Sequence, residues 1–389
     1  MKKILFVYHV SSIGGGSYCL LNILKSLDRT VVKPYVLLCN NGPLVDEIRK
    51  LHIDVHFLPE MRTVPYNSST LTISALLNAY HIIHSFKVFK DLVSKLDVDA
   101  VYLNTMMLYP YLRQTKELGK KAIIHSREHW PKGEHKWQRN QAIQHIKTYA
   151  DHIVAINSYS ASMMEERSKE VAVVYDWIDM KSRFDICPLS DIFNEDMSDK
   201  KVFLYTGGVQ RIKGAVEVLS AFSKSIKDKQ SRLLVFGINP ECEISFLKRC
   251  LCYIGLKSYY CQVKELIKKD NRIVCIPITY NLSHIMQQCY CNLSYFTIPH
   301  ANLALAECVI MGTPSVAVRT EESMEYSLNG ELSLLFEINN KEDFHKTILC
   351  LNDRYDQIKK ALSDKSILIE QMFSPSANIK KLNYLLKLM

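Results

Sequence analysis

Long hydrophobic runs are missing from the 389 residues: no stretch reaches the roughly 18 uninterrupted apolar side chains of a membrane-crossing helix. The opening "MKKILFVYHV" has the two lysines and apolar run of a leader. Tyr8 and His9 interrupt that run, however, and no small-residue cleavage pattern follows. Concentrated basic runs are missing too, which argues against a nucleic-acid partner; "KELIKKDNR" (264 to 272) reads as a solvated helix end. No G-x-G-x-x-G fingerprint is present, so a nicotinamide or flavin dinucleotide is not expected. The cysteine pairs Cys250/Cys252 and Cys289/Cys291 are spaced one residue apart, whereas zinc hairpins usually need two intervening residues. Neither a metal nor a cofactor is expected.

What remains is an ordinary globular composition, 48% hydrophobic and 23% charged. At this length two domains are the default, because a single core stops growing at about 250–300 residues. The formal charge of +9 favours acidic partners such as nucleotide phosphates or an anionic lipid surface. Twelve cysteines in a chain large enough to hold itself together without staples read as reduced, mostly buried small hydrophobes in a cytosolic protein.

Short apolar runs alternate with helical patterns. "ILFVYHV" reads as a strand and "SYCLLNILKSL" as a helix with apolar positions three and four apart. "KPYVLLCN", "DVHFL", "DAVYLN", "KAIIHS" and "DHIVAINS" follow as strands, with helices between most of them and a long one near 72 to 95. The pattern restarts at "KVFLYTGG" and runs through "SRLLVFGI", "NRIVCIPI", "CNLSYF" and "TPSVAV". Strands separated by helices pair in parallel, because parallel neighbours need long crossovers. The expected class is α/β, with two doubly wound Rossmann-like domains facing a cleft. The expected boundaries are 1–175, a polar linker 176–199, 200–370, and a closing segment 371–389. Leu76, Leu77, Ile82, Ile83, Phe86 and Phe89 form an apolar stripe on the long helix. Core packing is its simplest reading and a lipid-facing role the alternative.

Several loops carry groups suited to chemistry. "SSIGGGS" joins the first strand to the first helix, where Gly15 and Gly16 let backbone approach an anion. "YTGGVQRIKG" sets Gly208, Arg211 and Lys213 at the mouth of the second domain's first strand, a pattern suited to a diphosphate. "HSREHW" gathers His125, Arg127 and Glu128 at the expected ligand edge of the first domain. Glu307 sits on an otherwise apolar helix, where its carboxylate needs a partner or a ligand's paired hydroxyls.

These stretches together, with "HIVAINSYSASMM", "VVYDWIDMKSRF" and "LALAECVIMGTPSVAV" followed by "SLNGELSLLF", resemble the retaining glycosyltransferases of the GT-B fold, family 4, over nearly the whole chain. The resemblance implies metal-independent transfer of a sugar from a nucleotide-diphosphate donor to a glycan or lipid-linked acceptor, in bacterial surface polysaccharide (O-antigen, lipopolysaccharide or capsule) biosynthesis. It implies a cytoplasmic protein, either free or peripheral on the inner face of the cell membrane. Lys213 and Arg211 would neutralise the leaving diphosphate, Glu307 would hold the ribose hydroxyls, and His125 would face the reacting sugar. Arg127 and Glu128 would lie on the acceptor side. The family's first glutamate, eight positions before Glu307, is replaced by Pro299, so His300, Asn302 and the loop backbone up to Leu303 stand in for it. Residues 371–389 would cross back to the first domain. Two rival readings stay open: a degenerate nucleotide-sugar or glycan-binding protein, and a sugar-nucleotide epimerase or hydrolase on the same architecture.

Overall fold

The computed structural model describes residues 1–64, 73–128, 130, 136–164, 171–177, 187–238, 258–278 and 282–387. The chain divides into two compact units, Met1–Asp179 with Met372–Met389, and Met180–Gln371.

The first unit is built on seven parallel strands: β1 (Lys2–Val7), β2 (Val32–Leu38), β3 (Asp54–Phe57), β4 (Ala100–Leu103), β5 (Lys121–Ser126), β6 (His152–Ala155) and β7 (Val171–Val173). Their order is β3-β2-β1-β4-β5-β6-β7. Helices cover both faces, which is why the central strands are nearly continuous apolar runs rather than alternating ones. Ile4 and Phe6 pack with α1 (Gly15–Ser26), α2 (Pro43–Arg49) and the closing helix Pro375–Lys387. Leu5 and Val7 point the other way, onto α3 (Ile73–Leu96), α4 (Pro110–Glu117) and α5 (Lys136–Tyr149). The helix α6 (Ser158–Met164) follows β6.

The apolar stripe on α3 divides between core and surface. Ile82 and Phe89 are buried and Phe86 packs against the core, but Leu76, Leu77 and Ile83 are exposed, together with Ile73 and Tyr80. Six apolar positions on one helix span more than a single face, and only those at the 82/86/89 spacing turn inward. Strand β7 went unread because its three residues are too few to show a period.

The second unit repeats the plan with six parallel strands: β8 (Lys201–Tyr205), β9 (Ser231–Phe236), β10 (Ile273–Ile276), β11 (Cys291–Ser294), β12 (Ser315–Val318) and β13 (Leu334–Phe336), in the order β10-β9-β8-β11-β12-β13. On one face lie α8 (Ala215–Ser225), α9 (Tyr259–Lys269) and the helix Lys341–Leu349. On the other are α7 (Leu189–Phe193), α10 (Leu282–Gln288) and α11 (Leu303–Ile310). Each unit is therefore a doubly wound Rossmann-like domain, as the alternating pattern predicts. In each, strand order reverses beside the first strand, between β1 and β4 and between β8 and β11. Ligands of such sheets bind outside the carboxyl ends at that reversal.

One expectation about thiols is corrected. Cys261 is disulfide-bonded, so the cysteines are not all reduced. Among the described residues Cys19, Cys289, Cys291 and Cys308 carry no disulfide and are buried, as small hydrophobes should be. No helix among the described residues is long and apolar enough to cross a membrane.

Burial pulls His9 and His145 down to about 4 and His125 well below its ordinary value. As pH falls below about 6.5 the unfolded chain takes up protons that the folded histidines refuse. Stability should therefore fall between about pH 6.5 and 4, and urea unfolding should show a lower midpoint at pH 5 than at pH 7.5. An equal or higher midpoint at pH 5 would contradict the neutral burial of these rings.

Candidate functional site

In the second unit the loop leaving β8 is moulded on two tyrosine rings. The Tyr205 hydroxyl donates to the Lys213 carbonyl at 3.0 Å, and a Cβ on Gly207 would come within 2.1 Å of that hydroxyl. Gly214 has φ +65°, and a Cβ there would meet the Tyr295 ring at 2.4 Å. Gly208 also needs the left-handed region, at φ +60°. Arg211 and Lys213 lie in one 3-10 turn, Arg211–Lys213, that leads through Gly214 into α8. The Thr297 N–H donates to the Ile212 carbonyl at 2.9 Å and ties this turn to the segment after β11.

Arg211 is exposed, with its guanidinium carbon 5.7 Å from the centre of the Tyr259 ring. The Tyr259 hydroxyl accepts the Val216 N–H at 3.1 Å in the first turn of α8. Lys213 is half-buried: burial lowers its pKa, while the negative charge of Glu307 acts to raise it. The turn after β8 and the helix after β11 thus bring Lys213 and Glu307 within electrostatic reach of each other at the strand reversal.

Glu307 is 7% exposed on α11, among buried Leu305, Ala306, Cys308 and Val309. Asn302, fully buried, caps that helix: its Oδ1 accepts the Leu305 N–H at 3.1 Å and the Ser294 hydroxyl at 3.0 Å. Its Nδ2 has no partner among the described residues. His300 is half-buried with its ring 5.1 Å from that of Phe296, and Leu303 is the first residue of the helix. Pro299 contributes no polar side chain.

In the first unit the groups collect at the carboxyl ends of β1, β4, β5 and β7. Gly15 opens α1, and Gly16 lacks the Cβ that would come within 2.4 Å of the Tyr8 hydroxyl. His125 is 1% exposed, and its Nδ1 lies 2.7 Å from the Tyr102 hydroxyl and 3.3 Å from an Arg127 nitrogen. Arg127 Nη1 donates to both carboxylate oxygens of Asp176 at 2.7 and 2.8 Å, and its Nε donates to Asn104 Oδ1 at 3.0 Å. Burial opposes the Arg127 cation most, but Asp176, with Cys19 and Tyr102 adding to it, outweighs that and the pKa is raised. Burial likewise raises Glu128, whose carboxylate accepts from the Thr105 hydroxyl, the Met106 N–H at 2.9 Å and the Arg127 N–H at 3.2 Å. Glu128 thereby binds the loops after β4 and β5 together.

Four tyrosines and one aspartate escaped the sequence reading: Tyr102, Tyr205, Tyr259, Tyr295 and Asp176. Tyr205, immediately before "TGG", and Asp176, in "VVYDWID", stood beside motifs already singled out. Tyr102, Tyr259 and Tyr295 act through the fold alone and left no local signal.

No protein-family model matches the sequence. One curated relative, the N-acetyl-alpha-D-glucosaminyl L-malate synthase of Bacillus anthracis, is 20% identical over 178 residues. That match covers 44% of this chain and 42% of the synthase, so the chain spans less than half the length of this relative. Among solved structures, Anabaena HepE in complex with UDP and glucose superposes with a TM-score of 0.74 at 16% identity, over 100% of both chains. A glycosyltransferase from Rickettsia africae superposes at 0.70 with 18% identity, over 99% of this chain and 98% of that one. At such identities the likeness establishes the fold, which is the two-domain GT-B architecture of glycosyltransferases.

Replacing Gly214 by Ala should cost stability, because the residue needs positive φ and the new methyl would press on Tyr295. A loss of about 1–3 kcal/mol in urea unfolding is expected, the usual cost of overpacking. Unchanged stability would mean that the loop does not depend on the Tyr295 contact.

Proposed function

We propose that the protein is a retaining, metal-independent glycosyltransferase that moves a hexose from a nucleotide-diphosphate donor to a glycan or lipid-linked acceptor. The observation that carries the proposal is the approach of Lys213 to Glu307 at the strand reversal of the second unit. In transfer, the bond from the anomeric carbon to the β-phosphate oxygen breaks and the acceptor oxygen takes its place. Negative charge then appears on the diphosphate while the sugar becomes cation-like. A partly desolvated ammonium held beside that phosphate stabilises the charge without reorganising. Arg211 adds a second cation, and the glycine turn brings backbone close to the anion. Glu307, an acceptor-only carboxylate, suits the paired ribose hydroxyls of the nucleotide. The UDP and glucose held by the Anabaena structure make UDP-glucose the first donor to try.

His300, Asn302 and the loop backbone up to Leu303 would meet the donor sugar in place of a glutamate at Pro299. Gly15, Gly16 and His125 would serve the donor from the first unit, with Arg127 and Glu128 on the acceptor side. One observation favours a second reading, a protein that binds nucleotide-sugar without turning it over: Pro299 has no hydrogen-bonding side chain. Nucleoside-diphosphate release with and without acceptors separates the two. Epimerised or hydrolysed donor in the absence of acceptor would point instead to an epimerase or hydrolase.

Surface polysaccharide assembly suits the exposed apolar half of α3, which would meet an anionic membrane carrying the acceptor. Charge supports that occupant. Lys87, Lys90, Lys95, Lys136 and Lys147 on α3 and α5 outnumber the single Asp91, and Trp137 is 69% exposed at the start of α5. Co-sedimentation with phosphatidylglycerol vesicles should weaken on Leu77→Glu and in high salt; binding indifferent to both would remove the membrane from the proposal.

Lys213→Ala should lower kcat/KM on the order of a hundredfold or more, as loss of one preorganised donor to a developing charge does, and should leave the unfolding midpoint nearly unchanged. Near wild-type turnover by that variant would refute the diphosphate role. Glu307→Gln should mainly raise the donor KM, by about tenfold for the loss of one charge-assisted bond. NMR of the glycoside product checks retention directly.

A further inference from the structure

The hydrogen bonds around His125 decide which of its nitrogens carries the proton. A guanidinium has five donors and no acceptor, so the Arg127 nitrogen 3.3 Å from His125 Nδ1 can only donate to it. The Tyr102 hydroxyl, whose ionisation burial pushes to high pH, donates to the same atom at 2.7 Å. Nδ1 therefore accepts, and the hydrogen of the neutral ring must sit on Nε2. Protonating Nδ1 would turn its N–H toward the obligate Arg127 donor and a fixed positive charge. Burial, with the Arg127 charge adding to it, accordingly holds His125 well below its ordinary value.

Nε2 itself is buried and has no partner among the described residues. The same holds for His9 Nδ1, just beyond the end of β1, and Asn104 Nδ2, just beyond β4. Other buried polar atoms are likewise open elsewhere in the chain, but these three share the ends of adjacent strands, the edge where a ligand or water oxygen would sit against such a sheet. The titratable groups of this cluster are Tyr8 beyond β1, Cys19 on α1, Tyr102 on β4, Arg127 and Glu128 after β5, and Asp176 after β7.

We propose that His125 is a fixed, neutral Nε2–H donor to a hydroxyl or phosphate oxygen of the ligand, and that Tyr102, Arg127 and Asp176 are the residues that position it. His125 then neither takes nor gives a proton during turnover. Asp176 acts at one remove: it spends one nitrogen of the Arg127 fork and so aims the other at His125. Arg127 then has a positioning role in addition to its place on the acceptor side. The naming of the ligand rests on the proposed function; the tautomer does not.

Long-range proton–nitrogen spectra of the 15N-labelled full chain, assigned with His125→Gln, test the tautomer without any assay of activity. An Nε2–H pattern unchanged from about pH 8 to about pH 5 is expected. An Nδ1–H pattern, or titration with a midpoint above about 6, would overturn the proposal. UDP-glucose is the probe for the ligand and should shift the Nε2–H resonance; no shift at a concentration where UDP-glucose raises the melting temperature would count against it. With turnover measured, His125→Gln, which still offers an N–H near the Nε2 position, should stay within about tenfold of wild type. His125→Asn, whose amide ends near Nδ1, should lose on the order of a hundredfold. Tyr102→Phe should lower kcat without changing UDP affinity. Equal losses in the Gln and Asn variants, or a pH profile with a limb removed by both, would identify His125 as an acid or base instead. A protein that shows the tautomer and the UDP-glucose shift but transfers no sugar would refute the transferase reading and leave this one standing.

Discussion

An ionised side chain taken out of water must be met by opposite charge or by hydrogen-bond partners, and each unit has its chemistry-bearing residues arranged around one such meeting. In the first, the Arg127 guanidinium is shared among Asp176, Asn104 and His125. In the second, half-buried Lys213 lies within the electrostatic reach of Glu307. Removing one member of a buried ion pair such as Arg127–Asp176 commonly costs about 3–5 kcal/mol, because the other is left uncompensated. Such pairs constrain their surroundings strongly. Asp176 fixes where the segment after β7 must lie, and the Asn302 cap and Thr297 tether fix where Glu307 stands relative to the β8 loop.

The sheets explain why these meetings occur where they do. With all strands parallel, every carboxyl end opens on one edge, and the reversal in strand order separates the loops there. Backbone donors from helix N-termini, short glycine turns and side chains from strands distant in sequence then share that edge. In the first unit His9, Asn104 and His125 come from three strands that neighbour in space, although more than a hundred positions separate the first from the last.

Much of the fold was legible because buried parallel strands and amphipathic helices leave different periods in the chain. "ILFVYHV" and "KVFLYTGG" announced the two first strands, and the glycine-bearing loops after them announced where backbone would be left open. Legibility failed where a position's meaning depended on something remote. The α3 stripe looked uniform, yet only its 82/86/89 spacing turns inward and the remainder is exposed. Cys261 could be told from its neighbours only by the atom it bonds. Arg127 and Glu128 stood out as part of a cluster of titratable groups, but nothing local shows what they bind within the fold. Their partners, Asp176 and Thr105, are 49 and 23 positions away. Tyr102 was invisible among apolar strand residues, since a phenol on a strand reads as core until its hydroxyl is seen to find an imidazole.

The glycine–tyrosine contacts of the second unit bear on how such a loop could be transplanted. Gly207 is shaped by Tyr205 and Gly214 by Tyr295, so the curve that carries the two cations is a cast of two rings, one of them some eighty positions downstream. Grafting residues 206–214 into another scaffold would move the glycines but leave half the mould behind. The inheritable unit is the loop together with both rings, and chimeras cut between Gly214 and Tyr295 would recover the letters of the motif without its curvature.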